Sequence, residues 1–385
     1  MNVGDEFVLD ISSIAHGGHF VARHEGRVIF VRHAISGEKV KVRITEISKN
    51  FARGDAVEIV NASKDRIAPA CRYAKPDGCG GCDFQHVEPQ AQRSYKAAII
   101  KEQFKRLAKM DIEVEVEEVA PTQGWRSRMQ FTVSENRKIA MYQARSNKLI
   151  EIDECKIAHQ SIKIADLNAQ KLPAGKKVDV AVGSDGEVVV AIEGRENFAL
   201  VNQNVNGFNF SLTPESFWQS HIAAPKTLVD AVLEFAELKI GDHFYDLYSG
   251  VGLFASSALK LIGDTGRITL IEESASAITD ARRNFANYAN VEIVEGKVER
   301  ELKRFVKGDV VIIDPPRSGA GERVIRQILA LSPRTLIYVA CDPAALARDT
   351  EILERFDYAL DGIRAFDLFP MTQHIESVAR FIRRG

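Results

Sequence analysis

The sequence predicts an α/β protein in three parts: a small N-terminal β-barrel, a central α+β insert, and a C-terminal doubly wound sheet. Three observations carry this. Residues 1–62 repeat short alternating apolar segments between glycines, residues 63–213 mix strands with four cysteines and one helical stretch, and residues 214–385 alternate strand with helix.

A chain of 385 residues is long for one core, in keeping with several domains. Its 45% hydrophobic and 27% charged residues place it among folded proteins. The opening MNVGDEFVLD has no basic patch ahead of an apolar run, and no stretch of about 18 apolar residues occurs. A soluble, cytoplasmic protein with no membrane partner is therefore expected. A net charge of −2 carries no global signature of nucleic-acid binding, so any such surface must be local. Five cysteines in a cytosolic chain point to metal binding or catalysis rather than disulfides.

In the first part, EFVLDI, GHFVAR, RVIFVR, EKVKVRI and DAVEIV read as about five short strands, a barrel of the oligonucleotide-binding kind. Arg23, Arg27, Arg32, Lys39, Lys41 and Arg43 lie among them with His16, His19 and Phe20. That set suits either a nucleic-acid face or an ordinary solvated one, because acidic residues are interspersed. NASKDRIAPA, residues 61–70, is polar and suits a linker.

The central part opens with CRYAKPDGCGGCDFQH, which carries Cys71, Cys79 and Cys82; EIDECKIAH adds Cys155. Gly80 and Gly81 allow a turn on which two sulfurs converge. Four thiolates hold either zinc or an iron–sulfur cluster, and spacing does not separate the two. Tyr95, Ile99, Ile100, Phe104 and Leu107 recur at helical spacing over residues 87–108. Strands follow at RMQFTV, KIAMY, KLIEI, EVVVAIE and FNFSL.

In the third part, HFYDL, RITLI, VEIVE, VVIID, TLIYV and ALDGIRAF alternate with helices such as SASAITDARRNFANYA. This predicts a mostly parallel sheet whose ligand site lies at the carboxyl ends of its strands. HFYDLYSGVGLFASSALK ends a strand at Asp246 and opens a helix through Gly250 and Gly252, where backbone can approach a ligand. Glu272 ends the next strand, 22 residues beyond Gly250, placed to accept ribose hydroxyls. The third glycine of a dinucleotide fingerprint is missing, which favours S-adenosylmethionine over NAD. VVIIDPPRSGAG ends a strand on Asp314-Pro315-Pro316-Arg317, a rigid lip that also occurs in enzymes methylating exocyclic amines of bases. Cys341 ends the strand IYVA beside that lip.

Taken together, DLYSGVGLF, IIDPPRSGAG, YVACDPAALARD and FPMTQHIESV, with ESFWQSH and CGGCDFQH before them, resemble the RNA 5-methyluridine methyltransferases over essentially the whole chain. The resemblance implies a TRAM barrel over 1–62, a central domain over 63–213 carrying a [4Fe–4S] cluster on Cys71, Cys79, Cys82 and Cys155, and a Rossmann-like class I methyltransferase domain over 214–385. It implies Cys341 as nucleophile and Glu376 as general base, with Gln219, Tyr248, Glu272 and Asp314 lining an S-adenosylmethionine pocket. The expected partner is RNA, 23S rRNA favoured over the T loop of tRNA, and the expected state a monomer. An amine N-methyltransferase would need neither Cys341 nor Glu376, and a non-catalytic RNA-binding iron–sulfur protein would need only barrel and cluster.

The chain departs from the family in places. Asp342 follows the nucleophile where Asn is frequent, a carboxylate that tends to raise the thiol pKa. Ser249, Leu253, His221 and Met371 stand where Cys, Asn, Asn and His are common. Seven residues separate Cys71 from Cys79 where five are usual.

Overall fold

The computed structural model describes residues 1–197 and 199–384. Its first sheet holds β1 (Glu6–Asp10), β2 (Ser13–Ile14), β3 (Phe20–His24), β4 (Arg27–Arg32), β5 (Lys39–Ile47) and β6 (Phe51–Asn61), in the order β1-β5-β6-β4-β3-β2. That is one strand more than the reading of the sequence, because two-residue β2 is too short to show alternation. In β5 the period of two turns Val40, Val42 and Ile44 inward, at 1% exposure or less, and Lys39, Lys41 and Arg43 to the wetter face.

After the cysteine segment comes α1 (Pro89–Gln103), started by a proline in its first turn and by Glu88, whose side chain accepts the Ala91 N–H at 2.9 Å. The helix runs into a π-helical turn, Phe104–Ala108, that stops at Lys109 in the left-handed region. Strand β7 (Val116–Glu118) follows. A second, antiparallel sheet comprises β8 (Arg128–Val133), β9 (Ile139–Tyr142), β10 (Leu149–Glu151), β11 (Lys177–Val182) and β12 (Val188–Ile192), ordered β10-β9-β8-β11-β12, with α2 (Ile164–Ala169) packed beside it. The hairpin of β13 (Val201–Val205) and β14 (Phe208–Leu212) turns on Asn206-Gly207, both at positive φ, which matches the twist of the flanking strands.

The remaining chain is α3 (Ala224–Ala236), β15 (His243–Leu247), α4 (Leu253–Ile262), β16 (Arg267–Glu272), α5 (Ala275–Asn284), β17 (Val291–Glu295), α6 (Val298–Glu301), β18 (Val310–Ile313), α7 (Gly321–Ala330), β19 (Thr335–Ala340), α8 (Pro343–Arg355), β20 (Tyr358–Asp367) and β21 (Glu376–Arg383). Eight strands form one sheet, β17-β16-β15-β18-β19-β21-β20-β7. The five from β17 to β19 are parallel, and β21 is antiparallel to both its neighbours. Strands β18 and β19 are buried at every residue, because helices cover both faces, so they read as unbroken apolar runs. One face packs on α3 and α4 through Leu228, Val229, Ala255 and Ala258; the other packs on α7 and α8 through Ile325, Ile328, Leu346 and Leu353.

Residues 89–118, inside the span 63–213 expected to form the central unit, pack on the C-terminal layer. Ile99, Ile100 and Phe104, each at most 2% exposed, belong to the core beneath α8, and β7 pairs in parallel with β20 through Val116 and Ala365. Each of those side chains contributes roughly 1.5–3 kcal/mol by burial, which commits the segment to the C-terminal layer. A β-strand of three residues could not be read from sequence, since its pairing partner lies about 250 residues away.

Candidate active site and cysteine centre

Strand order reverses between β15 and β18, and the loops at that switch point carry the candidate site. Asp246, the penultimate residue of β15, is completely buried; its Oδ2 accepts the Ala255 N–H of α4 at 2.9 Å while Oδ1 has no partner among the described residues. Burial, with the nearby Asp314 and Glu272 carboxylates, pushes its pKa well above the usual range. Ser249 Oγ is likewise buried and unpartnered. Tyr248 holds φ 60°, left-handed for a non-glycine residue, the kind of strain that gathers at ligand sites.

The two glycines of this loop differ. A Cβ on Gly252 (φ 88°) would meet Phe285 Cε2 at 2.5 Å, so this position must be glycine to let the loop pack. A Cβ on Gly250 would meet nothing within 4 Å, so there the missing side chain leaves backbone open to a ligand. Glu272 accepts the Gly250 N–H at 2.9 Å through Oε2, and the Glu273 and Ser274 N–H groups through Oε1, which fixes its carboxylate against the loop. Unpaired buried oxygens, an open glycine and an oriented carboxylate fit a ligand that brings hydrogen-bond donors.

Cys341 lies one residue beyond β19, and Ala340 pairs with Ser377 of β21, so Cys341 and Glu376 extend the same antiparallel ladder at the same edge. Glu376 is buried, at 4% exposure. Burial and the nearby Asp314 raise its pKa well above the usual range, opposed by Arg317. Asp314, half-buried one residue past β18, is raised to about 7 by desolvation and by Glu272. The Cys341 thiol is pushed up to about 11, by desolvation first and then by Glu376 and Asp314, with Arg317 pulling the other way. Asp342 adds to that push, but least among these groups.

Buried polar contacts hold this edge. Asp349 accepts Tyr338 O–H at 2.8 Å and the Ala320 N–H at 2.7 Å, anchoring the loop after Pro316 to α8; it is structural. Lys96 of α1, fully buried, donates to Asp367 at 2.6 Å and to the Phe369 carbonyl at 3.1 Å. Gln92 Oε1 accepts the Met371 N–H at 2.8 Å, so α1 grips the segment leading to Glu376.

Cys71, Cys79, Cys82 and Cys155 line one cavity together with Tyr73, Gln85, Arg126 and Met141. Among the described residues no three His, Cys, Asp or Glu side chains form a group that could hold a single metal ion. The donor set nevertheless suits a soft centre. The Gly81 N–H points at Cys79 Sγ at 3.4 Å, Gln85 bonds Cys82, and the Ile157 and Ala158 N–H groups face Cys155. Burial pushes the Cys79, Cys82 and Cys155 thiols up, Cys82 to about 12, and other cysteines of the set add to each shift. Gly80 cannot carry a side chain, since its Cβ would lie 2.6 Å from the Ala144 nitrogen.

Of the residues named from sequence, the structure gathers Cys341, Glu376, Asp314, Glu272 and Tyr248 at one sheet edge, and the four cysteines at one cavity. Gln219 is buried at 7% exposure on the segment 213–221, which Arg128 holds by donating to the Pro214 and Ser216 carbonyls. Its side chain shares no hydrogen bond with Tyr248, Glu272 or Asp314 among the described residues. The sequence names Ser249 only as a departure from the family and does not point to Lys96, for which a lysine on the apolar face of an amphipathic helix was the available signal. No described helix is long and apolar enough to cross a membrane.

A family model described as "TRAM domain" matches residues 1–57, and one described as "tRNA (Uracil-5-)-methyltransferase" matches residues 258–384. An uncharacterized RNA methyltransferase of Streptomyces avermitilis is 38% identical, covering 98% of each chain. One from Corynebacterium efficiens is 33% identical over 99% of this chain and 96% of its own. The crystal structure of Pyrococcus abyssi tRNA (uracil-54, C5)-methyltransferase in complex with S-adenosyl-L-homocysteine matches with TM-score 0.76 at 22% identity, covering 97% of this chain and 99% of that one, a likeness of fold. Matched end to end by such relatives, and by both domain models in order, the chain belongs to the RNA methyltransferases that join a TRAM domain to a tRNA (uracil-5-)-methyltransferase domain.

Proposed function

We propose that this RNA methyltransferase methylates carbon 5 of one uridine, using S-adenosylmethionine and a covalent Cys341–uracil adduct. The observation that carries the reading is the single edge at which Cys341, Glu376 and Asp314 meet, where Glu376 and Asp314 both raise the Cys341 thiol and Asp314 raises Glu376. Carbon 5 of uracil is a poor nucleophile. Addition of the Cys341 thiolate to carbon 6 forms a carbon–sulfur bond and moves the ring's electron pair onto carbon 5. Tyr248, Gly250, Glu272 and Asp314, with Gln219, would hold S-adenosylmethionine, which would supply the methyl group that carbon 5 takes up and leave as S-adenosylhomocysteine. Glu376 then removes the carbon 5 proton, and that electron pair expels Cys341 as thiolate. With the thiol pushed up to about 11, little thiolate exists in the free site, and Arg317 is the charge that favours ionisation. Both ring carbons are hidden in a base stack, so the uridine must be extruded.

Cys71, Cys79, Cys82 and Cys155 would hold a [4Fe–4S] cluster, which supplies a rigid crosslink between the cysteine loop and the second sheet. That the four cysteines line one cavity supports such a site; a cluster rather than zinc is what the family resemblance implies. No step above needs an electron, so its role is structural or RNA-positioning. The substrate favoured is 23S rRNA, because barrel plus cluster resembles members acting there; the T-loop uridine of tRNA is the alternative, favoured by the description of the matched catalytic model. The protein acts as a cytoplasmic monomer.

The test is anaerobically prepared enzyme with labelled S-adenosylmethionine and, separately, ribosomal RNA and tRNA lacking 5-methyluridine. Label mapped to one 23S uridine supports the reading, and 5-fluorouridine RNA should then give a denaturation-stable adduct on Cys341. Label in tRNA overturns the substrate; methyl transfer by Cys341→Ala overturns the adduct.

A further inference from the structure

We infer that His16 of the N-terminal barrel is a positioning residue for Cys341, acting through Asp342, so that the barrel completes the turn bearing the nucleophile as well as meeting RNA. The inference rests on Cys341 being the nucleophile.

Asp342 caps α8: its Oδ1 accepts the Ala345 N–H at 2.8 Å. Its Oδ2 lies 3.0 Å from Nε2 of His16, which is 326 residues away in sequence. An ionised carboxylate only accepts, so Nε2 carries the proton and donates it. Although burial works the other way, the His16 and Ala345 donors hold the Asp342 carboxyl below its usual range. Asp342 is therefore charged at working pH, immediately beside the thiol that must ionise, and the bond to His16 draws part of that charge away from Cys341.

A second contact places the same barrel turn against the other half of the site. His16 sits between β2 and β3 in a turn closed by Ala15 and His19. There Gly18 (φ 72°) packs on Gln373, where an added Cβ would fall 2.3 Å from Gln373 Cβ. Gln373 is three residues before Glu376. The turn thus lies against both the residue after the nucleophile and the segment delivering the candidate base. The frequent Asn at position 342 would cap α8 without bringing a charge; with Asp there, a donor is needed, and the barrel provides it.

The experiment compares His16→Ala, Asp342→Asn and the double variant in the full-length protein. The first readout is the rate of Cys341 alkylation by iodoacetamide at pH 8, followed on its own peptide by mass spectrometry, with neither RNA nor S-adenosylmethionine present. His16 is exposed and Asp342 partly so, so H16A should slow alkylation by roughly two- to fivefold. The deficit should shrink in about 0.5 M salt. D342N should react at least as fast as the parent, and the double variant like D342N. In turnover, H16A should lower kcat by a similar factor with little change in KM for RNA. Parental alkylation by H16A, a double variant as slow as H16A, or a loss confined to KM would each overturn the assignment. Alkylation requires no methyl transfer, so those outcomes are separable from failure of the nucleophile reading, which C341A tests.

Discussion

The ammonium of Lys96, with no side-chain exposure, sits 2.6 Å from the Asp367 carboxylate, joining α1 to the end of β20, nine residues ahead of Glu376. Removing one partner leaves the other as a buried, uncompensated charge. Lys96→Met should therefore lower stability by about 3–5 kcal/mol, and Lys96→Met with Asp367→Leu by clearly less. Urea titrations at pH 7 measure both. Methyl transfer by the single variant should fall further than its folded fraction, because the 367–375 segment positions Glu376.

Asp314 predicts a pH signature. Its folded value, raised to about 7 by burial and then Glu272, exceeds the ordinary 3.8, so the folded state binds this proton more tightly than the unfolded one. Its stabilising contribution is full below about pH 4 and is lost as pH rises through about 7. Asp314→Asn does not titrate, so its stability relative to the parent should grow with pH across that window. Partial exposure makes roughly 4 kcal/mol an upper bound. Melting curves at pH 4.5 and 8, without RNA or cofactor, check the sign; a stability difference, variant minus parent, that falls as pH rises is the failing result.

Glu376→Gln should separate the steps of the proposed mechanism. It keeps the shape and removes the base, so addition proceeds while release stalls. Turnover should fall by about 10²–10⁴-fold while a protein–RNA adduct stable to denaturing gels accumulates. Loss of turnover with no adduct would place Glu376 before the covalent step.

The loop glycines should respond differently to alanine. Gly252→Ala must displace Phe285 and strain a left-handed position, costing about 1–3 kcal/mol and disturbing the start of α4. Gly250→Ala has room for its Cβ and should cost about 1 kcal/mol, yet weaken S-adenosylmethionine binding by obstructing the approach to the backbone. Thermal melts with calorimetric titration of the cofactor distinguish the two.

What the sequence determined alone was whatever is written locally. The period-two strands of the barrel, the helix at 89–103, the glycine turn opening α4, and the proline after Asp342 that starts α8 each depend on residues a few positions apart, and each could be read. The motifs around Cys341 and Cys79 were legible for the same reason. Tertiary structure alone decided the relations between distant segments. It put β7 on the edge of the catalytic sheet, buried Glu376 by pairing β21 between β19 and β20, brought Cys155 to the cavity of the other three cysteines, and set His16 on Asp342. Burial and long-range pairing are properties of the packed chain, not of any short stretch of it, and the pKa values of this site follow from them.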